Sequence, residues 1–142
     1  MKRKLYIILL LITLLICYSC SKNGNNPNIK KIEIHYVSLY TTTFIKVECN
    51  NFYDYFSDSM DSLTIIDKKV LSEFEKDLDC LKLTDSYNKS PDARIKMTVF
   101  YENHIEELCI DNFVIQRNGK LYFCSNKFKK LLYKVGVIKE LW

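Results

Sequence analysis

The chain has 142 residues, of which 48% are hydrophobic and 27% charged, with three glycines and two prolines. This length and balance are typical of one globular domain, and they exclude collagen-like, low-complexity and wholly disordered chains. The formal net charge is +4, so the position of the basic residues decides whether the charge supports a nucleic-acid partner.

The N-terminal residues have the pattern of a targeting segment. Lys2, Arg3 and Lys4 form a basic start, and the thirteen residues Leu5–Cys17 that follow carry no charge. A bilayer-spanning helix needs about 20 apolar residues, whereas a shorter run of this kind is typical of the apolar core of a secretory signal. A signal anchor that stays attached to the chain is the alternative interpretation.

The apolar run ends in Cys17-Tyr18-Ser19-Cys20, and the whole segment resembles a bacterial lipoprotein signal peptide. The lipobox of that family is usually Leu, a small residue, then Gly, Ala or Ser, and finally Cys. Ser19 and Cys20 match this pattern, whereas Tyr18 is bulky and Cys17 replaces the aliphatic residue. The resemblance implies cleavage before Cys20 and attachment of diacylglycerol, with acyl chains such as palmitate, to its sulfur. Cys17 is a poorer acceptor because the large Ile16 precedes it.

The resemblance also implies a location in the cell envelope, with the acyl chains anchoring the protein to the membrane. Ser21, rather than Asp, after the modified cysteine resembles lipoproteins that proceed to the outer membrane, so we expect the outer rather than the inner membrane. Removal of residues 1–19 takes away three of the 21 basic residues and none of the 17 acidic ones. The mature chain is therefore close to neutral, and no nucleic-acid partner is expected.

After the signal segment, residues 20–28 read as the lipidated cysteine and a polar, turn-rich tether. Residues 29–142 are expected to form one domain. At its start, alternating apolar residues predict the two strands of a hairpin, Ile32–Tyr36 and Ile45–Cys49.

The next part of the chain predicts a helix after an aromatic-rich segment. Residues 50–61 read as either a short helix or a loop, and Leu63–Ile66 as a short extended piece. Apolar residues at helical spacing then predict an amphipathic helix over Lys68–Lys82. Asp67 is its expected N-cap, because a carboxylate accepts the unpaired amide hydrogens of a first turn.

Four strands joined by short turns are predicted between Arg94 and Cys124. The turns are Glu102-Asn103, Asp111-Asn112 and Asn118-Gly119, and two-residue turns fix the register of the strands. One face of these strands is polar, and on it the predicted register places Arg94 opposite Asp111. A second helix is predicted over Ser125–Val135, with Ser125 as its N-cap and Gly136 suited to its end. It completes an α+β, two-layer antiparallel fold with its helices on one face of the sheet. The apolar face that they cover collects Ile95, Met97, Leu108, Ile110, Phe113, Ile115, Tyr122 and Cys124.

Four cysteines remain after the lipidated one, and an oxidising compartment allows them to form disulfides. The predicted register points Cys109 and Cys124 to opposite faces of the sheet, which argues against a bond between them. If a bridge exists, it is expected to join Cys80 to Cys49 or Cys124. Buried free thiols are the alternative.

The sequence holds no recognisable catalytic or metal-binding motif. His35 and His104 are the two histidines, and the positions of the three glycines exclude a phosphate-binding loop and a dinucleotide-binding fingerprint. Among the four cysteines that remain after the lipidated one, no pair has the spacing of a zinc site. We therefore expect no cofactor, no metal and no enzymatic activity, with a small hydrolase as the least favoured alternative.

Phe52-Tyr53-Asp54-Tyr55-Phe56 places four aromatic rings in five residues. These rings cannot all enter one core, and exposed aromatic side chains are common at binding surfaces. Together with Tyr40 they predict a binding surface, unless two or three of them cover the edge of the sheet. The sequence therefore predicts a lipid-anchored binding module for a protein or a glycan. The alternative is a structural or inhibitory domain that engages a partner through the strand edge of the first hairpin.

If Cys20 is the modified residue, intact-mass spectrometry will find a mature protein that begins at Cys20 and carries acyl chains. Cys20→Ser should leave the precursor uncleaved and unacylated, whereas Cys17→Ser should be processed like the wild type. A mature protein that lacks acyl chains, or that keeps residues 1–19, would contradict the prediction.

Overall fold

Six antiparallel strands form one sheet in the computed structural model, which describes residues 28–84 and 90–139. The predicted signal segment and Cys20 lie outside the described residues. The strand order is β2-β1-β3-β4-β5-β6, and the fold is α+β, as predicted. The strands are β1 (Ile29–Tyr36), β2 (Asp61–Ile65), β3 (Ile95–Tyr101), β4 (Ile105–Ile110), β5 (Val114–Arg117) and β6 (Lys120–Phe123). The helices in these ranges are α1 (Phe52–Phe56), α2 (Lys68–Asp79) and α3 (Asn126–Lys134).

The main core lies between one face of the sheet, called here the front face, and helices α2 and α3. Both helices begin at the predicted caps: Asp67 accepts a hydrogen bond from the Val70 amide at 3.0 Å, and Ser125 accepts one from the Phe128 amide at 3.2 Å. Phe74 of α2 and Phe128 of α3 pack edge to face, with ring centroids 6.0 Å apart. None of the helices in the described residues combines the length and apolarity that a bilayer span requires.

The predicted register of the last four strands is right in two hairpins and wrong in one. Ile95 pairs with Ile110 as expected, but Ile110 pairs with Ile115 rather than with Phe113. The Asp111 carboxylate accepts hydrogen bonds from the amides of Phe113 and Val114 at 2.6 and 2.7 Å, which lengthens the turn. Since the shift is by two residues, Ile115 keeps its predicted face. Phe113, however, leaves the core and is 58% exposed.

The predicted first hairpin is wrong in its second strand. The strand that pairs with β1 is β2 at Asp61–Ile65, close to the extended piece expected there, and not Ile45–Cys49. Val47 instead makes two hydrogen bonds to residues 92 and 93, and Cys49 begins a single 3-10 turn over Cys49–Asn51. The alternation at 45–49 therefore reflects a loop with one buried side chain rather than a strand.

One helix lies on the back face of the sheet, which corrects the expectation that all helices share one face. Residues 37–60, called here the back-face segment, connect β1 to β2 and carry α1. Phe52 and Phe56 of α1 are buried in a second cluster with Val47 and Cys109. Cys109 lies between front-facing Leu108 and Ile110 in β4, so its side chain points to the back face.

A partly buried ion pair, Arg117 with Glu106, joins the end of α2 to the sheet. Arg117 of β5 donates from Nε to the Glu106 carboxylate at 2.9 Å and from Nη1 to the Leu78 carbonyl at 3.1 Å. Burial by itself would raise the pKa of Glu106, but the hydrogen bond and charge of Arg117, with hydrogen bonds from Asn118 and Tyr101, lower it overall. A carboxylate with a lowered pKa stabilises the fold while it is ionised.

Glu106→Gln should therefore lower the free energy of unfolding by about 1–3 kcal/mol near neutral pH. The difference from the wild type should shrink as pH falls below the ordinary Glu pKa of about 4.3 and towards the lower folded value, because wild-type Glu106 then also becomes neutral. Urea unfolding at neutral and acidic pH measures both. Glu102→Gln, at an exposed carboxylate, is the matched control and should change stability by less than about 0.5 kcal/mol. A difference that does not vary with pH would contradict this account.

Candidate binding surface at one end of the sheet

The back-face segment, which carries all the predicted binding residues, starts and finishes at the end of the sheet where β1 finishes and β3 begins, called here the loop end. Tyr36, the last residue of β1, pairs with Asp61 on one side and with Ile95 on the other. Ile29 and Tyr101 pair at the opposite end of the same strands. The back-face segment leaves β1 at the loop end and returns there to start β2, so both of its ends lie at this end of the sheet.

Arg94, just before β3, fixes the first part of the back-face segment. Its side chain is 7% exposed and holds both oxygens of Asp92, at 2.7 and 2.9 Å. It also donates to the carbonyl of Thr41 at 2.9 Å, to Thr43 Oγ1 at 3.0 Å and to the Ala93 carbonyl at 3.0 Å. These five bonds use all five N–H donors of the guanidinium group. Asp111, which the predicted register places opposite Arg94, accepts a hydrogen bond from the Asp92 amide at 3.2 Å.

A disulfide between Cys49 and Cys109 fixes the second part of the back-face segment. The predicted bridge from Cys80 to Cys49 or Cys124 is therefore wrong, since Cys49 is bonded to Cys109 and Cys124 is a free, buried thiol. The misplacement of Ile45–Cys49 in a strand hid the bond, because the segment was not expected to cross the back face above Cys109. Burial raises the pKa of Cys124 to about 12, so this thiol is a poor nucleophile at neutral pH.

Residues 38–46, called here the aromatic loop, project from this fixed base. Phe44 at the tip is fully exposed, Ile45 is 57% exposed and Tyr40 is 51% exposed. The Thr43 hydroxyl donates to the Ile45 carbonyl at 2.7 Å and so spans the tip. Tyr40 was predicted as a binding residue, whereas Phe44 and Ile45 were missed because the alternating pattern assigned Ile45 to a strand. A cluster of large apolar side chains on a fixed loop is unusual at a protein surface without a binding role.

The aromatic run of α1 divides between core and surface. Phe52 and Phe56 are 0% and 3% exposed, so they are core residues. The prediction that these two rings belong to a binding surface is therefore wrong. Tyr53 and Tyr55 are 36% and 45% exposed. The helical period explains the division, because positions 52 and 56 lie on one side of a helix and positions 53 and 55 do not.

Tyr53 packs on polar side chains of the back face. Its ring lies 5.3 Å from the His35 ring and 4.7 Å from Lys96 Nζ. Burial, followed by the negative charges of Glu107 and Glu33, raises the pKa of Tyr53. Tyr53 is therefore a neutral hydrogen-bonding ring that can contact a ligand, and it is not a general base at neutral pH.

A cleft with a volume of about 400 Å³ opens beside the aromatic loop. That volume is within the range of small-molecule sites, but neither histidine lines it in the described part of the chain. His104 lies at the opposite end of the sheet, stacked on Tyr101 at 4.3 Å. Among the described residues no group of His, Cys, Asp or Glu side chains is arranged to hold a metal ion. The residues that line the cleft are Tyr36–Thr41, Ser59, Asp61 and Val137–Lys139.

No family model, curated protein or solved structure matches this chain. A function for the chain must therefore be inferred from the N-terminal sequence and from the geometry of the loop end.

Removal of the Cys49–Cys109 bond should destabilise the domain and loosen the aromatic loop. The bond closes a loop of 60 residues, for which the chain-entropy relation gives about 4 kcal/mol. Cys49→Ala with Cys109→Ala should therefore lower the free energy of denaturant unfolding by about 2–5 kcal/mol, and proteases should cut residues 38–46 faster. Cys124→Ala is the control and should leave the rate of loop cleavage unchanged. Equal cleavage rates in the wild type and the double variant would show that the bond does not hold the loop.

Proposed function

We propose that this chain is a lipid-anchored cell-envelope protein whose domain binds another macromolecule through the aromatic loop. The observation that carries the proposal is the fully exposed Phe44 next to Ile45, on a loop whose backbone is fixed by Arg94 and by the Cys49–Cys109 bond. Binding residues that are already held in place lose little conformational entropy when a partner binds.

The direction of the chain supports the presentation of this loop away from the membrane. A lipid at Cys20 would be joined to the domain through residues 21–28, and Asn28 precedes β1. The eight residues of β1 rise by about 3.3 Å each, so β1 carries the chain about 25 Å from its point of entry to the loop end. An anchored domain standing on its tether would thus hold the aromatic loop at its far end.

The chemistry of the loop favours a protein as the partner. Residues 38–45, Ser-Leu-Tyr-Thr-Thr-Thr-Phe-Ile, carry no charge, and their two tip side chains are apolar. A protruding Phe and Ile fit a concave apolar pocket, in the manner of the buried anchors that dominate protein interfaces. A glycan is the other class of partner, and it would use the hydroxyl-bearing rings of Tyr53 and Tyr55 on α1.

A second candidate mode is strand addition at β2. The two edges of the sheet differ, because the outer side of β6 is covered: the Phe123 amide donates to the Lys82 carbonyl at 2.9 Å, and the Thr84 amide donates to the Leu121 carbonyl at 3.0 Å. Within residues 28–84 and 90–139, β2 has β1 as its single neighbour in the sheet. Such an edge can accept an extended peptide, and it replaces the edge at 45–49 that the sequence had suggested.

Photo-crosslinking tests the proposed loop surface in the intact envelope. A photoreactive amino acid at position 44 should give a discrete crosslinked adduct, whereas the same group at position 105 should not. Ile105 is the matched control because it is also apolar and 61% exposed, but it lies at the opposite end of the sheet. With the crosslinked partner purified, Phe44→Ser should weaken binding about tenfold or more, as is usual for an interface anchor, and Ile105→Ser should not.

Hydrogen exchange of the complex separates the two modes. Binding through the aromatic loop should slow amide exchange in residues 38–46, whereas strand addition should slow it in Asp61–Ile65. Protection confined to Asp61–Ile65, with unchanged affinity of Phe44→Ser, would overturn the loop proposal in favour of strand addition.

A further inference from the structure

A charged groove lies between α2 and α3 and is called here the lysine groove. Four lysines and two carboxylates line it, so its net charge is +2, four positive charges less two negative ones. Residues 20–142 are close to neutral as a whole, with 18 basic residues (21 less the three in residues 1–19) against 17 acidic ones. The excess of positive charge is therefore local to the helix layer. The charged residues that line the groove are Glu73, Lys76, Asp77, Lys127, Lys130 and Lys134.

Two ion pairs cross the groove and neutralise half of its lysines. Lys127 donates to the Asp77 carboxylate, and Lys134 donates to both oxygens of Glu73 at 2.7 and 2.8 Å. Both pairs join α3 to α2, so they hold the two sides of the groove together. The carboxylates of α2 are thereby engaged, and they leave the remaining charge of the groove uncompensated.

The other two lysines, Lys76 and Lys130, are exposed. In the described part of the chain neither of them forms an ion pair. Helix α3, Asn126–Lys134, contains no acidic residue that could pair with Lys130 from its own helix. Each ammonium group carries three donors, so the groove offers two unpaired cations to an anion from outside.

The chain enters the domain beside this groove. The amide and side chain of Asn28 donate to the Glu75 carboxylate at 2.9 to 3.2 Å, and Glu75 directly precedes Lys76 in α2. Seven residues separate Cys20 from Asn28, and a stretch of that length spans at most about 30 Å. A lipid attached at Cys20 would therefore keep α2 close to the bilayer surface.

We propose that the lysine groove binds the anionic headgroups of the membrane to which the chain is anchored. The inference rests on the proposed lipid anchor and gives the anchored domain an orientation. Lysines near a membrane are attracted to an anionic leaflet, and the attraction falls off within a Debye length of about 10 Å. Two unpaired charges would hold a free protein only weakly. An anchor that confines the domain to the bilayer raises the effective concentration of headgroups at the groove, so two charges suffice to orient it.

The bound domain would lean on its helix layer. Helix α1 lies on the other face of the sheet from α2 and α3, so Tyr53 and Tyr55 would face away from the bilayer. The back-face segment, which carries the aromatic loop, would stay accessible to a partner.

Photo-crosslinking from two tyrosine positions tests this orientation. Tyr133 of α3 directly precedes Lys134 and is 46% exposed, whereas Tyr55 of α1 is 45% exposed on the back face, so the two are matched in type and exposure. A photoreactive phenylalanine replaces either tyrosine in the acylated protein, which is reconstituted in vesicles of equimolar phosphatidylcholine and phosphatidylglycerol. Position 133 should form several-fold more lipid adduct than position 55. Equal yields at the two positions, or adducts at position 133 that join two copies of the chain instead of lipid, would overturn the proposal.

Charge reversal connects the adduct to the groove. Lys76→Glu with Lys130→Glu should lower the yield of lipid adduct at position 133 several-fold, because the groove then repels phosphate. Lys120→Glu with Lys139→Glu is the matched control, since it makes the same change in net charge at two exposed lysines outside the groove, and it should leave the yield nearly unchanged. Circular dichroism establishes that both double variants are folded. Equal losses of adduct in the two double variants would assign the effect to net charge and overturn the role of the groove.

Vesicles of phosphatidylcholine alone separate this inference from the proposed anchor. An acylated chain should float with both kinds of vesicle, but the lipid adduct at position 133 should form several-fold less on the neutral vesicles. The same loss is expected on anionic vesicles in about 1 M NaCl, where the Debye length is about 3 Å. A chain that floats with both kinds of vesicle and gives equal adduct yields would keep the anchor and overturn the headgroup contact. A chain that floats with the anionic vesicles alone would support the headgroup contact and overturn the anchor.

Discussion

The buried Arg94 is the interaction on which the loop end depends. A charge removed from water destabilises a fold unless it is paired and all its donors are satisfied. Asp92 supplies the pairing charge, but it takes only two of the five donors, and the Thr41 carbonyl and the Thr43 hydroxyl take two more. The guanidinium and the back-face segment therefore depend on each other: without the segment Arg94 would keep unsatisfied donors, and without Arg94 residues 41–43 would lose their main attachment.

This dependence explains which parts of the fold could be predicted from the sequence. The helices, their caps and the apolar face of the last strands follow local rules of periodicity and capping, and Asp67, Ser125 and Gly136 lie where those rules place them. The longer turn at Asp111 could not be predicted, because a single carboxylate that accepts two amides determines it. The back-face segment could not be predicted either, because contacts with residues far away in the sequence, at Asp92, Arg94 and Cys109, determine its path.

The candidate binding surface was predicted in part for the same reason. Composition identified α1 as too aromatic for one core, and helical geometry then left Tyr53 and Tyr55 outside while Phe52 and Phe56 entered the second cluster. No pattern in the sequence separates an exposed Phe44 from a buried one. Its exposure follows from the path of the loop, and that path follows from Arg94 and from the Cys49–Cys109 bond.

The two ends of the sheet are held by different interactions. At the end where the chain enters, Asn28 donates from its amide and its side chain to Glu75 of α2, at 2.9 to 3.2 Å, which ties the start of β1 to the layer of helices. At the loop end, a disulfide and a buried arginine hold a segment that has no regular secondary structure over residues 37–48. Regular hydrogen bonding would have pulled residues 38–46 into the sheet and covered their side chains. Because the disulfide and Arg94 replace regular hydrogen bonding, the loop stays ordered while Phe44 and Ile45 remain in solvent. A preformed binding surface requires both an ordered backbone and exposed side chains.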